Sequence, residues 1–73
     1  GLRVYPNPVS EVITIASQNV GVTSIQIVDV SGKIIFAKTY DAIQTETINV
    51  SSFTQGVYFV NINNKITKKL IKK

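Results

Sequence analysis

From Val12 onward the chain alternates apolar and polar residues at period two, and that period leaves little for it to become but sheet. EVITIAS sets Ile13 and Ile15 against Val12 and Thr14. TETINV sets Ile48 and Val50 against Thr45, Thr47 and Asn49, and GVYFVNI sets Tyr58, Val60 and Ile62 against Val57, Phe59 and Asn61. Successive side chains of a strand point to opposite faces, so each run can bury one face and wet the other. The abundance of Ile, Val and Thr suits the same conformation. VTSIQIVDV joins Ile25 and Ile27, then drifts toward Val28 and Val30, which predicts a twist or bulge. KIIFAKTY follows a turn at Ser31–Gly32, and Asn63–Asn64 is a second turn candidate, since asparagine tolerates the left-handed region.

With LRVY at the start, these runs give about seven short strands with short turns. The expected fold is all-β: a small antiparallel immunoglobulin-like β-sandwich, with a five-stranded barrel as the architectural alternative. The 73 residues suffice for a single domain spanning 1–73. They contain no cysteine and no histidine, so disulfides and ordinary zinc sites cannot brace the fold and the core must hold it. The final KITKKLIKK is expected to return antiparallel beside Gly56–Asn63. Ile66, Leu70 and Ile71 also fit one face of a basic helix, but nine residues make a helix too short to stand alone in water.

VYPNP, at Val4–Pro8, breaks this pattern. Pro6 and Pro8 lack an N–H, fix φ near roughly −65° and bias Tyr5 and Asn7 away from helix. The segment is expected to be stiff and extended, setting how the chain enters the sandwich.

The chemistry of catalysis is thin. Without histidine or cysteine, the commonest general base and nucleophile pairings are missing. Glu11 and Glu46 are expected to face solvent, Asp41 to sit in a loop DAIQ, and Asp29 to accept turn N–H groups. No calcium-loop spacing or glycine-rich phosphate loop appears. Asn49-Val50-Ser51 matches a glycosylation pattern and is read as a chance match. The expectation is a non-enzyme with no cofactor and no small-molecule substrate.

The charge is uneven. Lys65, Lys68, Lys69, Lys72 and Lys73 put five positive charges in the last nine residues, while Arg3, Lys33 and Lys38 face Glu11, Asp29, Asp41 and Glu46 in the first 64. A nearly neutral body thus carries a basic end. Nucleic-acid binding is not expected, because no aromatic residue accompanies the lysines as a stacking platform. Lysines on an edge strand also discourage sheet-to-sheet aggregation, but that does not account for such a cluster.

Taken in order, VYPNPVSEVITI, SIQIVDVSGKII, SSFTQGVYFVNI and KKLIKK resemble the C-terminal sorting domain of proteins exported by the type IX secretion system, in its type A form. The resemblance covers Val4 to Lys73. It implies a non-catalytic C-terminal secretion signal, fused to an upstream cargo that it directs through the outer-membrane translocon to the cell surface. The partners implied are that translocon, a shuttle protein and a sortase-like surface peptidase. The implied path runs through the periplasm to the outer membrane, cell surface or medium, where the domain is removed or exchanged for an anchor.

By position, Tyr5, Pro6, Asn7 and Pro8 correspond to the family's opening element, Asp29, Gly32 and Lys33 to its turn, and Gly56 and Tyr58 to its G-x-Y element. These are expected to serve the fold. Lys68, Lys69, Leu70, Ile71, Lys72 and Lys73 are expected to carry translocon or receptor recognition, through strand addition at that edge. The competing expectation is an adhesion or carbohydrate-binding module of a surface protein, which calls for an exposed aromatic platform or a carboxylate cluster.

Overall fold

The computed structural model describes residues 1–73 and holds seven strands and no helix. They are β1 (Leu2–Tyr5), β2 (Val12–Ser17), β3 (Val22–Asp29), β4 (Ile34–Ile43), β5 (Thr45–Asn49), β6 (Gly56–Ile62) and β7 (Ile66–Lys72). One sheet has the order β1-β2-β5 and the other β4-β3-β6-β7. Every pairing is antiparallel. Two separate sheets make this a small all-β sandwich rather than a closed barrel, and the final segment is a strand rather than a helix.

The buried set follows the alternation. Ile13, Ile15, Ile25, Ile27, Ile48, Val50, Tyr58, Val60, Ile62 and Leu70 fill the space between the sheets, joined by Val9 and Val22. The ladder of β3 on β4 shifts register between Ile27 and Val28, where the apolar pattern drifts.

Two expectations change. DAIQ is not a loop: β4 runs through Asp41 to Ile43, and β5 begins at Thr45. The bend is absorbed inside the strand by Ala42, at φ 53°. Gly21 lies against it, and a Cβ there would fall 2.8 Å from the Ala42 Cβ, so the two backbones approach only because residue 21 has no side chain. Glu46 is half-buried rather than solvated, because it shares the inward side of β5 with Ile48 and pairs with Ile15.

The turns are closed by short polar side chains. Asp29 Oδ1 accepts the Ser31 N–H at 2.9 Å, the Ser31 hydroxyl at 2.7 Å and the Lys33 N–H at 3.0 Å, with Gly32 at φ 88°. The Ser31 hydroxyl bond, helped by the two N–H groups and the Lys33 charge, holds the Asp29 carboxyl below its ordinary value. Asn63 and Asn64 turn β6 into β7 at φ 58° and 56°. Asn63 also reaches across: its Oδ1 accepts the Thr23 N–H at 2.8 Å and its Nδ2 donates to Gly21 O at 3.0 Å. The glycosylation-like triplet has a structural use, since Asn49 Oδ1 accepts both the N–H and the hydroxyl of Ser51.

Candidate functional site

Strand β7 is an edge strand, paired with β6 alone among the named strands. From Lys69 on its side chains divide by parity, whereas Ile66 and Lys68, on the same side as Leu70 and opposite Ile62 and Val60, lie exposed. Leu70 is fully buried and Lys72 is 8% exposed, its ammonium donating to Lys73 O at 3.0 Å. Lys68, Lys69, Ile71 and Lys73 are exposed. Of the six residues expected to carry recognition, the folded domain therefore presents these four. Leu70 faces the core because it follows the inward parity of Ile62 and Tyr58 across the ladder, pairing directly with Tyr58. The family-like ending thus combines a core anchor with a surface in one strand.

The outer edge of β7 is also not open as strand addition requires. Asn7 Nδ2 donates to Lys69 O at 2.8 Å, and Asn7 Oδ1 accepts the Ile71 N–H at 2.9 Å. Two residues on, the Val9 N–H donates to Ile71 O at 2.9 Å, and Val9 O accepts the Lys73 N–H at 2.9 Å. Val9 bridges Lys72 in parallel and is itself fully buried. The segment Asn7–Val9 therefore occupies the backbone groups from Lys69 O to Lys73 N, and an added strand cannot pair there while it stays in place.

This revises the opening motif. VYPNP does not run on extended: the Tyr5–Pro6 and Asn7–Pro8 peptide bonds are both cis and residues 6–8 bend. Proline fixes φ, but the course of the segment is set by distant partners, the β7 backbone groups that Asn7 and Val9 bond. Asn7 has the larger structural part. Its two side-chain bonds mimic a strand neighbour and end the sheet.

The remaining motif residues differ in their surroundings. Gly56 adopts φ 153° at the start of β6. Tyr58 is 6% exposed, packs its ring 5.1 Å from that of Phe53 and donates its hydroxyl to Thr54 O. Tyr5 stands exposed at the end of β1, with the Arg3 guanidinium 4.8 Å over its ring.

The two outward faces of the sandwich are unlike. On the three-stranded sheet the register aligns Arg3–Ala16–Thr45, Tyr5–Thr14–Thr47 and Val12–Asn49, in which Tyr5 and Val12 are the large apolar side chains. On the four-stranded sheet it aligns Ile34–Val28–Phe59–Lys69 beside Val57–Ile71.

A cleft of about 540 Å³ opens at one end of the sandwich, walled by Leu2, Val20, Val22, Ile62 and Ile66 among others, with no carboxylate in its lining. Nowhere do three acidic side chains gather where a cation could be held. Tyr40 has a buried hydroxyl without a hydrogen-bond partner. Burial first, and the nearby Glu46 carboxylate second, push its phenol up to about 12. A phenol so placed keeps its proton and is no nucleophile at neutral pH.

The family model described as secretion system C-terminal sorting domain matches residues 3–73. An endo-acting ulvan lyase of Formosa agariphila is 36% identical over 76 residues, which cover 99% of this chain and 15% of the lyase. The chain thus corresponds to a small part of that relative.

Proposed function

The chain belongs to the secretion system C-terminal sorting domain family, and from that premise we propose that the exposed residues of β7 are what the export machinery reads. Membership makes the domain a non-catalytic secretion signal. It implies a fused upstream cargo, type IX machinery and export to the cell surface or medium. A relative that extends far beyond the matched region fits a signal appended to a larger protein.

In the finer reading, the cargo crosses the periplasm and the domain engages a shuttle and the outer-membrane translocon. A sortase-like peptidase then removes it. Recognition runs through Lys68, Lys69, Ile71 and Lys73, with Leu70 and Lys72 holding the strand in place. The observation that carries this is the division of β7 into a buried and an exposed set. Side-chain contact replaces strand addition, because Asn7 and Val9 already bond the edge. The lysines speed encounter and reject wrong partners more than they add affinity.

A carbohydrate-binding module fits less well. Of the aromatic rings on the two outer faces, Tyr5 is already covered by Arg3 and Phe59 is only half-exposed.

The test is a periplasmic reporter fused to the domain in a bacterium with type IX secretion, carrying Lys68→Ser, Lys69→Ser and Lys73→Ser together. Surface delivery should fall while the thermal midpoint of the purified domain stays put. Unchanged delivery would remove the lysines from the address. Truncation is the wrong experiment, since deleting residues 69–73 also takes Leu70 out of the core.

A further inference from the structure

We propose that the outer face of the β4-β3-β6-β7 sheet is a docking surface for a protein partner that presents apolar side chains beside carboxylates. This rests on the export reading above and widens it from one strand to a face. The register lines up Ile34, Val28, Phe59 and Lys69 across all four strands, and Val57 beside Ile71 forms a second row. Both ends of the apolar patch are open: Ile34 is 54% exposed and Ile71 is 40% exposed.

A sandwich needs only its inner faces apolar, and the opposite sheet's outer face sets just Val12 and Tyr5 among Arg3, Thr14, Ala16, Thr45, Thr47 and Asn49. A contiguous apolar patch on one outer face of so small a domain marks an interaction surface. The partner's chemistry follows from the charge. Lys69 closes the first row at the β7 end, and none of the four carboxylates of the chain lies in either row. The matching surface therefore places acidic groups opposite β7 and apolar groups opposite β3 and β6. A lipid surface is the poorer fit. Electrostatic membrane attachment takes a cluster of several basic residues on the contacting face, whereas of the four lysines in the last six residues Lys72 is turned inward, Lys68 lies on the other side of β7, and only Lys69 and Lys73 have the outward parity.

The experiment uses the same reporter fusion with Ile34→Thr, alone and with Val57→Thr, and Lys69→Glu separately. Thr47→Lys on the opposite face is the control. Threonine keeps the strand preference while removing apolar contact. Surface delivery should fall about tenfold for the double variant and for Lys69→Glu, as for loss of a binding hot spot, and stay unchanged for Thr47→Lys. Thermal midpoints are measured in parallel, and if Val57→Thr unfolds the domain, the exposed Ile34→Thr alone decides. Normal delivery of the Ile34 variants, with the lysine-to-serine variant failing, would overturn the face and leave the β7 reading standing. Normal delivery of both sets would defeat the two together. Ile34-dependent co-sedimentation of the domain with phosphatidylglycerol vesicles would overturn the assignment to a protein partner.

Discussion

The Asn7 side chain accepts the Ile71 N–H at 2.9 Å across 64 residues of sequence, and so ties the start of the domain to its last strand. Asn7→Ala removes that bond and the one to Lys69 O. Both backbone groups can then turn to water, so the expected loss is about 1–2 kcal/mol rather than the larger cost of burying them unpaired. Amide exchange at Ile71 should accelerate more than at Leu70, whose backbone faces β6. Asn7→Asp should fall between, since it keeps an acceptor for Ile71 and loses the donor to Lys69. Equal exchange at Ile71 in wild type and Asn7→Ala would show that the clamp is not formed in solution.

Leu70 and Ile71 should separate fold from surface. Leu70→Ala leaves a hole in a sealed core and should cost about 2–5 kcal/mol, a large share of the roughly 4–11 kcal/mol expected for a chain this size. Ile71→Ala removes a side chain that is 40% exposed and should cost less than half as much. Chemical denaturation of the two variants checks the ratio. Similar losses for both would contradict the inward and outward parity of β7.

Two groups give the stability a pH dependence. The Tyr40 phenol is raised from 10.0 to about 12, so between those values the folded domain keeps a proton that the unfolded chain releases. Stability from this source is full below pH 10 and falls as pH rises toward 12. Lys38, with its ammonium 5.4 Å from the Tyr40 ring, and Glu46 are the charged neighbours. Denaturation of wild type and Tyr40→Phe at pH 9 to 12 should give a shallower fall for the variant. At the acid end, Asp29 is held below its ordinary 3.8, so its contribution is present above that value and is lost as pH falls through the lowered one. Asp29→Asn should flatten that limb.

Most of the strand plan was legible because a half-buried strand writes its two faces into alternate residues. Ile13, Ile15, Ile48, Val60 and Ile62 all lie where that period puts them. The Asp29 turn and the Asn63–Asn64 turn were legible for a different reason: their residue types have few other conformations to prefer. What escaped is what depends on distant partners. Nothing local distinguishes Val9 from a linker residue, yet it is fully buried under β7. Asp41 read as loop because its strand bends at Ala42, and the space for that bend is supplied by Gly21, just before β3. Among the candidate recognition residues, the basic run was visible in the sequence. Its division into buried Leu70 and Lys72 and exposed Lys69 and Ile71 needed the register with β6.

That division also affects when the signal can exist. The four-stranded face is complete only after β7, the last strand in chain order, has docked Leu70 against Tyr58 and met Asn7 and Val9. A partly made or unfolded domain carries the same lysines but no aligned row. Binding of a partner to this face reports that β7 has docked, with no separate inspection step.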